Sequence, residues 1–196
     1  MDKAKFTLET INTLSKSISE SSIIPYEELP QYDLFLSQVI DYLNDKFEAD
    51  KYTNNIVQNY IKSEVISKPE DSKKRGYTKL HLAQLVLLSH MRPVLTAEEI
   101  KKVFRLAFNE INDRDDDIIS WESAYKIFSD MQKESYDDFS GKKFCDEEKL
   151  EKTIDALELR ESDKERISVF LVVMTLVSQA SAIKKLVQKI VRDYET

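Results

Sequence analysis

The sequence is poor in the residues that turn a chain sharply, with 2 Gly and 4 Pro among 196 residues. Hairpin-rich β folds and glycine-dependent phosphate-binding loops both require more Gly than this. A single Cys excludes an internal disulfide and a thiolate metal cluster, which fits a reducing cytoplasm. The first residues lack the apolar run of a signal peptide, and the longest apolar run, Ile167–Val177, is shorter than the ~18 residues typical of a membrane span. We therefore expect a cytoplasmic protein with no membrane segment.

Charge is distributed unevenly along the chain. The formal net charge is −7, so the protein as a whole is not a generic polycation. Residues 51–110 nevertheless carry 11 basic and 6 acidic side chains, whereas residues 1–50 carry 4 and 10 and residues 111–162 carry 8 and 16. A basic island in an acidic protein indicates one module that faces a polyanion.

The spacing of apolar residues predicts an all-α protein. They recur three and four positions apart along most of the chain, which is the helical period. Thr96 with Glu99, and Ser162 with Glu165, are capping boxes that open two of the helices. We predict an N-terminal helix in residues 1–24, followed by a winged helix-turn-helix-like module in residues 25–110. This module is packed with a C-terminal helical bundle in residues 111–196. Individual helices are predicted near residues 8–18, 36–47, 53–64, 78–93, 96–108, 121–128, 147–157 and 162–191.

The predicted helix over residues 53–64 divides into two chemically distinct faces. At about 100° per residue, its apolar and aromatic side chains fall on one side, and amide and cationic side chains fall on the other. Asn, Gln and Lys are suited to purine edges and phosphates in a major groove. A solvated surface face is the simpler alternative for such a pattern. The amide and cationic face consists of Asn54, Asn55, Gln58, Asn59 and Lys62.

A basic cluster follows this helix. Lys68 precedes Pro69, and Lys73, Lys74 and Arg75 lie just before Gly76 and an aromatic residue. A loop of this kind after a polar-faced helix is how a winged helix presents cations to flanking phosphates. A lone basic cluster is weak support, and the ordered combination of helix, Pro, basic wing and capped helix is more specific.

Four short blocks occur in order in the same region: Asn59-Tyr60-Ile61-Lys62, Lys68-Pro69, Tyr77 with His81, and Leu95-Thr96 with Glu99-Ile100. They resemble the blocks of a known bacterial family, the domain of unknown function 1836. The family's blocks are Thr-x-x-Met/Ile-x-Asn-Tyr-x-Lys, Lys-Pro, Tyr-x-x-x-His and Leu-Thr/Ser-x-x-Glu-Ile. More distantly, their order is similar to a MerR-like winged helix-turn-helix. That resemblance implies a recognition helix at 53–64, a wing at 66–77 and a scaffold helix at 34–47.

These observations predict a DNA-binding transcriptional regulator whose partner is double-stranded DNA. Lys62, Lys68 and the basic cluster would bind phosphates, and the amides of residues 54–59 would read bases. The alternative is a helical protein-interaction module that kept the winged fold without binding DNA. We find no enzyme signature and expect no cofactor.

No metal site is expected. The acidic run of residues 113–117 lacks the Gly and the bidentate Glu that a calcium loop requires. His81 and His90 are nine residues apart and do not share a helix face, which favours structural roles. Cys145 has no His near it in sequence to activate it.

The segment Ile167–Val177 is apolar on all sides of its predicted helix, and such a helix must be buried. It is either the centre of the C-terminal bundle, which we favour, or the interface of a homodimer. The first case predicts that Phe170 and Met174 lie inside the bundle and contact the helices that contain Trp121 and Leu150, and that Phe170→Asp prevents folding.

Overall fold

The computed structural model describes residues 8–47, 51–69, 76–141 and 147–194, and within these ranges the chain forms eight α-helices and no β-strand. The all-α prediction is confirmed. A 3-10 turn lies at Tyr26–Glu28, and Leu34 and Tyr77 form an isolated antiparallel bridge. The helices are α1 (Leu8–Ser22), α2 (Leu36–Lys46), α3 (Asn54–Lys62), α4 (Lys79–Met91), α5 (Ala97–Phe108), α6 (Trp121–Gly141), α7 (Glu147–Ala156) and α8 (Glu161–Asp193).

Side-chain caps define where several helices begin. The Thr53 hydroxyl accepts a hydrogen bond from the backbone N–H of Ile56 at 3.3 Å and opens α3. The predicted box at Thr96 is confirmed, because its backbone N–H donates to Glu99 Oε2 at 2.9 Å and its hydroxyl accepts from the Glu99 N–H at 3.3 Å. The Thr96 N–H also holds the pKa of Glu99 below its usual range.

The chain divides into two compact units, one of residues 1–20 and 134–187 and the other of residues 21–133 and 188–196. These limits differ from the predicted ones at residues 24 and 110. The acidic segment after residue 110 is an internal loop of the second unit, since helices on both sides of it share one core. The Phe108 and Trp121 rings stack with centroids 3.4 Å apart, and the Tyr125 hydroxyl donates to the Ile24 carbonyl at 2.9 Å.

Helix α4 is the central helix of the second unit. Side chains all around it are buried, and α2 packs against both α3 and α4. A helix that is buried on every side needs apolar or internally paired residues at nearly every position. The buried residues are His81, Leu82, Ala83, Gln84, Leu85, Val86, Leu88 and Ser89.

The first unit packs α8 along one side. Val172 on α8 and Ile11 on α1 are buried together, with Leu150 and Leu176 partly buried against them. The opposite side is open, because Phe170 is 57% exposed and Met174 is 50% exposed. The prediction that these two side chains lie inside a bundle is therefore wrong. Within the described ranges, one face of the apolar segment has partners and the other does not.

The length of the apolar part of α8 also differs from the sequence-based expectation, which was that no segment is long enough to span a membrane. Among the described residues, Asp163–Asp193 is one helix that is long and apolar enough to cross a bilayer, judged by length and composition. The expectation rests on the apolar stretch Ile167–Val177, whereas uncharged residues continue to Ile183 and lengthen that stretch.

Candidate nucleic-acid interface

The structure separates the two faces of α3 much as the helical wheel does. Val57 is fully buried and Ile61 is 8% exposed, so these two side chains fix the inner face. Ile56 and Tyr60 are half-buried at its edges. The outer face presents amide groups and one cation, with Asn54, Asn55, Asn59 and Lys62 exposed and Gln58 half-buried.

The start of α3 is held by a side-chain clamp. The Asn44 Nδ2 group on α2 donates to the Tyr52 carbonyl at 3.0 Å, and the Tyr52 N–H donates to Asn44 Oδ1 at 2.6 Å. Both backbone polar groups of Tyr52 are therefore satisfied by one amide, as a strand partner would do. The clamp fixes how the chain turns from α2 into α3.

The Tyr52 side chain anchors the same turn in the core. Its ring is 2% exposed, its hydroxyl lies 2.8 Å from Ser89 Oγ on α4, and the Arg92 guanidinium lies 4.4 Å from the ring centroid. Burial raises the pKa of the Tyr52 phenol. The start of α3 is thus tied to both α2 and α4.

The end of α3 is tied to α5. Glu64 follows the Ser63 cap with φ at 55°, a left-handed conformation that Gly adopts more easily than Glu. The Lys101 ammonium of α5 donates to the Ser63 carbonyl at 3.2 Å and to Glu64 Oε2 at 3.1 Å. These bonds compensate for the strained turn and stop α3 at a fixed position.

The segment after α3 is fastened to the central helix. Gln84 is fully buried on α4, and its Oε1 accepts hydrogen bonds from the Ser67 N–H and the Ser67 hydroxyl, both at 2.9 Å. The next residue, Lys68, has an exposed side chain, while its N–H donates to Asn112 Oδ1 at 2.9 Å. The first part of the predicted wing is therefore held at two successive residues.

The chain returns beside α3 at Tyr77. Leu34 and Tyr77 exchange backbone hydrogen bonds of 2.8 and 3.3 Å, and the Tyr77 hydroxyl lies 3.5 Å from the Gln58 amide nitrogen. Within the described residues Tyr77 pairs with Leu34, upstream of α2, and not with the segment after α3. The predicted phosphate-binding residues Lys73, Lys74 and Arg75 lie outside the described residues, so the structure does not report their positions.

The acidic segment near Lys68 is organised by its own hydrogen bonds. Asp113 Oδ1 accepts from the Asp115 N–H at 3.0 Å, and Asp116 Oδ2 accepts from the Glu110 N–H at 3.2 Å. Burial raises the pKa of Asp117. In the part of the chain that the structure describes, no three His, Cys, Asp or Glu side chains gather as metal ligands would.

Both histidines have structural surroundings. His81 Nδ1 accepts from the Thr78 N–H at 3.1 Å and so completes a cap at the start of α4. His90 lies between the rings of Phe47 and Phe128, each with its centroid 5.5 Å away, and burial lowers the pKa of His90 to about 4. Cys145 lies outside the described residues.

Three residues that position α3 were not among the predicted site residues. Asn44, Gln84 and Lys101 hold its start, its following segment and its end. The sequence could have indicated the role of Gln84, because a polar residue in the middle of an apolar helix is usually buried and hydrogen-bonded. Asn44 and Lys101 lie on amphipathic helices, where polar residues are ordinary.

Comparison with known proteins assigns the chain to a family. Residues 24–128 match the family described as domain of unknown function (DUF1836), and the chain belongs to that family. It is also 28% identical over 93 residues to the uncharacterized protein YkrK of Bacillus subtilis (strain 168). That match covers 46% of this chain and 39% of the relative, so the chain spans well under half of that relative's length. No solved structure matches the chain.

Proposed function

We propose that this protein is a cytoplasmic, DNA-binding transcriptional regulator, and not an enzyme. In this proposal α2, α3 and the segment 66–77 act as scaffold helix, recognition helix and wing of a MerR-like winged helix-turn-helix. Helix α3 lies in the major groove of double-stranded DNA, and the wing lies along the flanking backbone.

The observation that carries this proposal is the exposed amide face of a helix held firmly at both ends. Asn55 and Asn59 are exposed one turn apart, while Val57 and Ile61 are buried on the other side. A side-chain amide can bond the N6 and N7 groups of adenine in a bidentate manner. Rigid placement matters because base readout depends on the position of each donor and acceptor.

The positive charges near the end of α3 support the same placement of this helix against DNA. Lys62 at the end of α3 and Lys68 six residues after that helix are exposed, and no acidic residue occurs between Lys51 and Lys62. Phosphate contacts from these cations and from the basic cluster at 73–75 would give the larger part of the affinity.

A protein partner is the second candidate, and one contact favours it. Asn112, which accepts from the Lys68 N–H, leads directly into the acidic run at 113–117. Carboxylates there would repel a phosphate backbone that passes close to Lys68, whereas a basic protein surface would be attracted to them.

A salt series separates the two candidates. Binding to a fluorescently labelled random duplex of about 20 base pairs is measured by polarisation over a range of salt concentrations. We expect affinity to fall steeply with salt, because each neutralised phosphate releases counterions. Replacing Lys73, Lys74 and Arg75 by Gln should flatten the slope of log K against log salt by up to about 3.

A variant with the same change of charge elsewhere serves as the control. Lys133, Lys152 and Lys189 are exposed and lie outside the proposed interface, and their replacement by Gln should leave the slope unchanged. Equal slopes in both triple variants would remove the wing from the proposal. Absence of duplex binding even at low salt would favour the protein partner.

A further inference from the structure

The exposed side of α8 is an apolar face that has no partner among the residues that the structure describes. Phe170, Val173, Met174 and Val177 are each between 46% and 57% exposed. At about 100° per residue these four side chains lie within an arc of roughly 100°, so they form one continuous stripe. The other side of the helix already packs on Ile11 and Leu150. An exposed apolar stripe on the remaining side indicates an interaction surface.

Charged residues flank the stripe on the Phe170 side of the helix. Asp163 and Arg166 lie at the N-terminal end of the stripe, and Lys184 lies at its C-terminal end. The side chains of Asp163 and Lys184 both reach solvent, and Asp163 has an ion-pair contact of 3.7 Å with Arg166 in the same helix. A partner helix would complement this stripe if it were apolar in the middle and carried the reverse order of charges.

A second copy of α8 meets that description when it runs antiparallel. A two-fold axis between Val173 and Met174 brings Phe170 opposite Val177 of the other copy and, in the same register, Asp163 opposite Lys184. A parallel pair in register would instead bring like charges together at both ends, which is unfavourable. The apolar spacing and the charges thus select the same antiparallel register.

A bilayer fits the helix less well. Residues 167–183 carry no charged side chain, and they make about 25 Å of helix, against a hydrocarbon core of ~30 Å. The middle of this stretch has protein contacts on one side, since Val172 packs on Ile11 and Leu176 is partly buried beside them. Charged residues occur at both limits, with Arg166 and Lys184 adjacent to the stretch.

We propose that the protein forms a two-fold homodimer in which the α8 stripes of two copies pack antiparallel about Val173 and Met174. Two Asp163–Lys184 pairs, one at each end, fix the register. The interface is closed, so association stops at the dimer. This proposal is independent of DNA binding, because none of its residues belongs to the proposed DNA interface.

Sedimentation velocity of the full chain without DNA, from about 1 to 100 μM, tests the dimer. We expect a concentration-dependent dimer in the wild type, at affinities of the micromolar range or tighter. The double variant Phe170→Asp with Val177→Asp should keep its helical circular dichroism and sediment as a monomer. A wild type that is monomeric at 100 μM, or a dimer that this variant leaves intact, would overturn the proposal.

Charge reversal tests the register. Asp163→Lys and Lys184→Asp should each weaken dimerisation about five- to tenfold, and the two together should restore it. Lys152→Asp on α7 serves as the matched control and should have no effect. Failure of the double reversal to restore association would overturn the antiparallel register. Flotation of a monomeric wild type with phosphatidylcholine vesicles would show that a membrane covers the stripe, which also overturns the proposal.

Discussion

The side-chain amide of Asn44 bonds both backbone polar groups of Tyr52, at 3.0 Å to its carbonyl and 2.6 Å to its N–H. This pair connects α2 to the residue that precedes α3, and the buried Tyr52 ring carries the connection into α4 through Ser89. The position of α3 therefore depends on a contact between residues eight apart.

Asn44→Ala should destabilise the protein. Two hydrogen bonds are lost, at about 0.5–1.5 kcal/mol each, while Ala gains about 0.5 kcal/mol in helix propensity. We expect the free energy of unfolding in urea to fall by about 1–2 kcal/mol. Asn55→Ala on the exposed face of α3 is the control and should change it by less than about 0.5 kcal/mol. Equal effects of the two substitutions would show that the clamp contributes nothing.

Gln84→Leu tests the attachment of the segment after α3. The buried Ser67 N–H would lose its acceptor, and an unsatisfied buried donor costs about 1–3 kcal/mol. Ser67→Ala removes the hydroxyl bond and keeps the N–H bond, so it should cost less. The two variants are compared by urea unfolding. A Gln84→Leu protein as stable as the wild type would contradict the role of Gln84.

His90 should make stability depend on pH. Its pKa in the folded protein is about 4, because the half-buried ring between Phe47 and Phe128 is desolvated, against about 6.5 in the unfolded chain. The unfolded state therefore binds the proton first, and the contribution of His90 is present above pH 6.5 and is lost as the pH falls toward 4. Between pH 7 and pH 5 the loss should be about 2 kcal/mol.

His90→Phe isolates this effect. It keeps an aromatic ring among aromatic neighbours and removes the titrating group, while every other titrating residue is present in both proteins. The single tryptophan, Trp121, is buried in the same unit and reports unfolding by fluorescence. The variant should lose about 2 kcal/mol less than the wild type between pH 7 and pH 5. Identical pH profiles would contradict a desolvated His90 that stays neutral in the folded protein.

Local periodicity was sufficient to predict α3 and its faces. Val57 and Ile61 are buried and Asn55 and Asn59 are exposed, because a short helix with sharply divided faces has one favourable orientation. The Asn44 clamp could not be predicted in the same way. It joins a side chain to a backbone across a turn, and the composition of the turn does not encode that pairing.

The central helix is where sequence and structure diverge most. Both α4 and the segment Ile167–Val177 are apolar on nearly all sides, and the sequence favoured the second as a buried centre. Burial depends on how many neighbours surround a helix, which periodicity does not report. Helix α4 has α2 beside it and the Ser67 segment bonded to Gln84, whereas Phe170 on α8 is left 57% exposed.

The most direct test of the proposed function is whether DNA covers the outer face of α3. In a Cys145→Ser background, the rate of maleimide modification is measured for Asn55→Cys on α3 and for Lys152→Cys on α7, with and without a saturating random duplex. We expect the duplex to slow modification of the α3 cysteine at least about tenfold and to leave the α7 cysteine unchanged, as steric exclusion at a groove-bound helix requires. Equal modification of the α3 cysteine in the presence of bound duplex would contradict the assignment of α3 as the recognition helix.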